Sequence, residues 1–158
     1  NNFYIEQAGW LGGDFDFTKY YVDSRKYVPL GNKVIAFRAI AGSSSGSLPL
    51  SKQFALGGDN LRGYEAGEFT GDNIVLLQAE YRFPILNTKI LQGALFFDAG
   101  NVSTHDSTRG LFERLNTDQG IGLRVDVPAL GLGTIRLDYS IRNDNGDRRL
   151  NIGLGQSF

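Results

Sequence analysis

Three consecutive stretches towards the C-terminus alternate apolar and polar residues with a period of two. In residues 120–127, Ile121, Leu123, Val125 and Val127 alternate with Gly120, Gly122, Arg124 and Asp126. In residues 134–142, Ile135, Leu137, Tyr139 and Ile141 alternate with Thr134, Arg136, Asp138, Ser140 and Arg142. In residues 149–158, Leu150, Ile152, Leu154 and Phe158 share one face, and Asn151, Gly153, Gly155 and Ser157 share the other. A two-residue period places successive side chains on opposite faces of a strand, so these segments predict strands with one apolar face.

The pattern continues upstream. Val75, Leu77, Ala79, Tyr81 and Phe83 oppose Gln78, Glu80 and Arg82; Leu91, Leu95 and Phe97 oppose Gln92 and Asp98; Ile35, Phe37 and Ala39 oppose Arg38. The first thirty or so residues read as two strands whose phase slips near Lys19, which predicts a bulge there. The expectation is about eight strands and no helix beyond one turn within residues 109–115. From the third strand on, long or medium joins alternate with short ones such as PLGN and PILNT. The longest join is a loop over about residues 42–72. An antiparallel transmembrane β-barrel has this rhythm, with long loops outside, short turns in the periplasm and, for an even strand count, both termini on the periplasmic side.

Alternation alone does not say which face is wet. A soluble sandwich or lipocalin-like binding barrel would solvate the charged face and pack the apolar one inside. A membrane barrel reverses this. Strands of about 9–11 residues match a tilted span of the hydrocarbon layer. Trp10, Tyr27, Phe83 and Phe158 fall near proposed strand ends, as an interfacial girdle requires. No segment has the run of about 18 apolar residues that a transmembrane helix needs. No basic-then-apolar start marks a signal peptide, which leaves a removed signal, a longer parent chain or a cytoplasmic location open.

The near-balanced charge, net −1, argues against a nucleic-acid partner reached by bulk electrostatics. The absence of cysteine excludes disulfides and thiolate chemistry. His105 stands alone in a polar loop. Residues 143–147 (NDNGD) lack the downstream glutamate of a calcium loop and read as a hairpin turn. No nucleophile elbow or phosphate loop is present. The expectation is therefore no enzyme, no metal and no cofactor. Glu80 and Asp98 form the one candidate acid/base pair, set against a structural reading of the same two carboxylates.

The long loop is unusual in its own right. Residues 54–67 (FALGGDNLRGYEAG) carry four glycines, and Phe54, Leu56, Leu61 and Tyr64 surround a single Arg62. With four motifs in order, the chain resembles the bacterial surface antigen superfamily of outer-membrane insertases and transporters, the BamA/TamA-like group. FALGGDNLRGY resembles its Arg-Gly-Phe/Tyr loop, EYRFP (residues 80–84) the next strand, and FFDAG (Phe96 to Gly100) its Phe-x-Asp-x-Gly strand. GIGLR, with Gly120, Gly122 and Arg124, resembles a later strand. The match covers the chain as the C-terminal half of such a barrel.

The resemblance implies that Arg62 folds into the lumen and pairs with Asp98, with Glu80 as second partner, while Gly63 allows close approach and Tyr64 packs on the wall. Asn151, Gly153 and Phe158 resemble the C-terminal signal read by assembly machinery, although Gln156 stands where an aromatic is expected. The implied setting is the bacterial outer membrane. The implied role is insertion, assembly or translocation of outer-membrane client proteins; a structural or small-pore barrel is the alternative. Family barrels have sixteen strands, usually behind POTRA domains. The single domain, residues 1–158, is therefore expected to close alone with the loop capping its mouth, to be half of a sixteen-stranded barrel completed by a homodimer, or to belong to a longer chain. Closure is favoured, because lipid does not tolerate unpaired strand edges.

Overall fold

The computed structural model describes residues 1–8, 16–46, 48–86, 88, 90–104, 110–127 and 133–158. Trp10 and His105 lie outside the described residues, as do Arg109 of the expected helical turn and most of the PALGLG join. The strands are β1 (Asn2–Ala8), β2 (Phe17–Leu30), β3 (Lys33–Gly46), β4 (Phe54–Leu56), β5 (Phe69–Gly71), β6 (Asn73–Pro84), β7 (Leu91–Ser103), β8 (Asn116–Asp126), β9 (Thr134–Arg142) and β10 (Arg148–Leu154). Eight of them form one antiparallel sheet in the order β1-β2-β3-β6-β7-β8-β9-β10. β4 and β5 form a separate two-stranded ribbon inside the long loop, which also holds a single 3₁₀ turn at Leu50–Lys52. Between residues 110 and 115 one turn closes, with Glu113 N–H donating to the Gly110 carbonyl.

The outward face is the apolar one. Leu77, Leu95, Phe97, Ile121, Leu137, Leu150, Ile152 and Leu154 are all exposed on it. The inward face carries the charges, with Glu80, Asp98, Asp118, Arg124, Arg136 and Asp138 almost completely buried. They are buried because the long loop lies against them. Phe54, Leu56, Leu61 and Tyr64 from the loop pack on Ile40, Ile74 and Leu76 of the inner wall. The apolar loop is thereby explained: it has a wall to cover.

Several expectations are corrected. Closure is one: among the described residues β1 and β10 do not pair, and the sheet stays open. An eight-stranded barrel has room only for its own side chains. Here the inner face also holds Leu61, Arg62 and Tyr64, each at most 1% exposed, so curling the sheet shut would displace the loop. For the same reason the loop does not cap a mouth. The loop is also shorter than expected at its start, since β3 stays paired with β2 through Gly46.

The bulge near Lys19 is absent, and the β2–β3 register runs unbroken from Phe17↔Gly46 to Leu30↔Lys33. The apparent slip arises because inward positions at this end of β2 are mixed. Phe17 and Lys19 both point in and are buried; the Lys19 ammonium lies 4.1 Å from the Phe54 ring centroid and donates to the Lys52 carbonyl at 2.5 Å.

The expected girdle and terminal strand also change. Strand β10 ends at Leu154, Gly155 takes φ +80°, and the tail turns inward. The left-handed conformation costs glycine nothing and breaks the alternation. Phe158 is therefore buried on the inner side rather than facing outward. Its carbonyl accepts from the Arg82 guanidinium at 3.1 Å.

Candidate functional site: an arginine clasp on the inner wall

Each strand of the inner wall contributes one or two polar side chains at the same level, because inward positions recur every second residue. The register places Gln78 of β6 opposite Asp98 of β7, and Asp98 opposite Asp118 of β8. It also places Gly122 of β8 opposite Asp138 of β9. The carboxylates therefore crowd onto one patch. Left alone, such a patch would repel itself and remain unpaired in a poorly hydrated setting.

The loop tip supplies what the patch lacks. Arg62 is fully buried. Its Nε donates to Asp98 Oδ2 at 2.7 Å and its Nη2 to Asp98 Oδ1 at 2.8 Å, the bidentate geometry that suits a guanidinium to a carboxylate. Its Nη1 donates to Glu80 Oε2 at 2.5 Å. Asp138 Oδ2 lies 3.7 Å away, and the Phe96 ring stacks 3.5 Å from the guanidinium carbon. Burial alone disfavours the charged form of Arg62, but Asp98, Glu80 and Asp138 outweigh it and raise the pKa above its ordinary value.

The backbone of the tip is gripped as firmly. The Arg62 carbonyl accepts from Ser140 Oγ of β9 and from Asn151 Nδ2 of β10, both at 2.7 Å. Gly63 N–H donates to Asp118 Oδ2 of β8 at 2.8 Å. A Cβ at Gly63 would stand 2.6 Å from Asp118 Cβ, so this approach requires glycine. Tyr64 Oη donates to the Thr117 carbonyl at 3.3 Å. Two residues thus bond to every strand from β6 to β10.

A second tier of guanidinium groups completes the neutralisation. Arg124 donates to Asp138 Oδ1 at 2.6 Å and to both Glu80 oxygens. Arg82 Nε donates to Glu80 Oε1 at 2.7 Å. Arg136 Nε lies 3.1 Å from Asp138 Oδ2 without hydrogen-bond alignment, so that pair is coulombic only. Arg136 also pairs with Asp59 of the loop. Ser157 Oγ donates to Glu80 Oε2 at 3.0 Å, which brings the tail to the same carboxylate.

The structure brings together Arg62, Gly63, Tyr64, Asp98, Glu80, Phe96 and Arg124. Gly120 lies beneath the Phe96 ring, Gly122 beside Asp138 and Arg124, and Gly100 beside Leu56. Of the proposed terminal signal, Asn151 joins the clasp and Gly153 faces the Arg136 guanidinium, while Phe158 sits apart against Arg82. Sequence reasoning placed Arg136, Asp138 and Ser140 on the polar face without assigning them to the site, and it missed Asp118. The signal was there for Asp118, which shares the inward parity of Gly120, Gly122 and Arg124. The chemistry of the arrangement is that of a latch. Glu80, the least buried of the carboxylates around the tip, is 1% exposed, and each of them is engaged by a guanidinium or an N–H.

Comparison with known proteins agrees with this geometry. All 158 residues match the Omp85 superfamily domain. The chain is also 28% identical to the protein TOC75-4, chloroplastic, of Arabidopsis thaliana, across all of this chain and 42% of that protein, so it spans under half the length of this relative. Omp85 proteins reside in outer membranes, which assigns the exposed apolar face to lipid. With an eight-stranded antiparallel sheet, an inner wall latched by its own loop and a family match from end to end, the chain belongs to the Omp85 superfamily.

Proposed function

We propose that this chain is the non-enzymatic C-terminal half of a BamA-type barrel in a bacterial outer membrane, and that it assists the insertion or translocation of client outer-membrane proteins. The observation that supports this reading is the contrast within one sheet: β6 to β10 are tied together by Arg62 and Gly63, while among the described residues β1 and β10 keep free edges. A free edge in lipid is an unpaired row of N–H and C=O groups that must find another strand. A client strand would find such an edge, and the clasp would hold the remaining wall rigid while it paired. The test is reconstitution of the chain into liposomes and the folding rate of a small barrel client. The expected result is faster folding than in empty liposomes. Equal rates would refute the assisting role.

The same free edges favour a second reading of the assembly, in which two copies or the remainder of a longer chain complete a sixteen-stranded barrel. Particle mass in detergent separates these: twice the chain mass supports the homodimer, and the mass of one chain supports a longer parent. If the protein is instead a small pore, planar bilayers will show steady conductance where the clasped insertase reading expects silence.

A further inference from the structure

We propose that the lipid-facing wall of β2, β3, β6 and β7 holds one anionic phospholipid, with an acyl chain in a groove across the strands and its phosphate on Lys26. The groove measures about 430 Å³. Its shape follows from a checkerboard in the register. One row reads Phe37, Ala79, Phe97 across β3, β6 and β7, and the next reads Ala39, Leu77, Ala99. Large side chains stand diagonally apart, and the alanines between them leave a trench. Phe37, Leu77 and Phe97 rise from the wall, each about 44–48% exposed.

Shape alone would not select a lipid. An apolar trench in a bilayer is already among hydrocarbon, so an acyl chain gains only packing there. The selective element is Lys26, which lines the same groove and pairs in register with Phe37. It shares the outward parity of Tyr20 and Val22, is exposed, and finds no carboxylate among the described residues. A cation on the lipid face is unfavourable unless it reaches an anionic partner. Lys26 is four residues from the strand end at Leu30. That is about 13 Å along the strand at ~3.3 Å per residue, and roughly 10 Å in depth for a tilt of ~40°. A lysine stem extended towards the turn side covers much of that depth and brings the ammonium to the phosphate level. An anionic headgroup then meets an unpaired cation above a trench sized for its chain.

The proposal is tested by native mass spectrometry of the full chain in detergent, after exposure to equal amounts of phosphatidylglycerol and phosphatidylcholine with matched chains. The parent should retain one phosphatidylglycerol about tenfold over phosphatidylcholine. Lys26→Gln should retain the two lipids equally. Ala79→Phe, which fills the trench, should retain neither. Heat-shifted gel migration confirms that each variant is folded. Equal retention of both lipids by the parent, or an undiminished preference in Lys26→Gln, would overturn the site; so would undiminished retention in Ala79→Phe. None of these outcomes depends on whether the chain accelerates client folding.

Discussion

The two halves of the sheet solve the same problem differently. Both have charged inner walls. In β2 and β3 the solution is local: Asp23 accepts from Arg25 two residues along its own strand and from Arg38 of the adjacent β3, at 2.8–3.3 Å. Arg25 is partly exposed there, with its side chain at 38%. In β6 to β10 the solution is remote, since carboxylates of four strands and the Asn151 amide of β10 converge on Arg62 and Gly63 of a loop that arrives from outside the wall. Local pairing satisfies the charges of β2 and β3 without the loop, which meets these strands through contacts such as Phe54 on Ile40 and the Lys52 carbonyl on Lys19. Remote pairing makes the five strands and the loop one unit, so its failure should be cooperative. The difference teaches that the loop belongs energetically to the C-terminal strands, although it emerges from β3.

The largest effect should come from Arg62→Ala. It leaves Asp98 without its guanidinium partner in a buried site, which typically costs about 3–5 kcal/mol, while Glu80 keeps Arg82 and Arg124. The expected result is loss of amide protection at Leu61 and Tyr64 by hydrogen exchange, with protection across β2 and β3 unchanged. Asp98→Ala should expose the Arg62–Gly63 bond to trypsin. The double variant Arg62→Ala/Asp98→Ala should cost clearly less than the sum of the single ones, because the two residues share one interaction. Strict additivity would break the picture of a single latch, and equal deprotection of β2 would break the contrast between the halves.

Gly63→Ala comes next. The added Cβ meets Asp118 Cβ at 2.6 Å, an overpacking expected to cost about 1–3 kcal/mol. Trypsin cleavage after Arg62 should rise about tenfold or more, since cleavage tracks the open population when closing is fast. Asn151→Ala removes one hydrogen bond to the Arg62 carbonyl, worth about 1 kcal/mol. Its effect should be greatest at the β10 edge, measured as faster amide exchange at Asn151 and Gly153 than on β7.

Much of this was legible in the sequence, for a physical reason. Alternation reports which face of a strand is apolar, and it placed Glu80, Asp98 and Arg124 on the charged face without any knowledge of pairing. Where the inner wall is itself apolar, the signal fails. Ile40, Ile74 and Leu76 point inward under the loop, and Phe17 at the start of β2 is buried inward as well, so the phase of β2 looked broken although its register is continuous. Period two also cannot register an inward turn at a single glycine, which is why Phe158 was assigned to the outer face. Openness of the sheet was among the expected alternatives but not the favoured one, because it depends on what fills the interior. Only the packed positions of Leu61, Arg62 and Tyr64 show that the inner face is occupied.

The smallest expected effect tests the rim of the clasp, where the remote solution fades into a surface one. Glu68 of the loop pairs with Arg142 of β9 and accepts from the Glu65 N–H at 2.8 Å. Partial burial pushes its pKa up, but the Glu65 N–H and Arg142 outweigh this and hold it below the ordinary carboxylate value of 4.5. The docked loop therefore binds the Glu68 proton less tightly than the released loop does. Docking gains from this residue above about pH 4.5 and loses that gain as the pH falls through the lowered pKa. The side chain keeps 29% of its surface in solvent, so the contribution is screened and should stay below about 1 kcal/mol. Hydrogen exchange at Tyr64, compared at equal intrinsic rate, should show Glu68→Gln slightly looser than the parent at pH 7, with the difference shrinking as the pH falls below 4.5. A difference that grew on acidification would show that Glu68 holds the loop as a neutral acid. The ion-paired rim would then have to be discarded, while the buried Arg62 latch would stand.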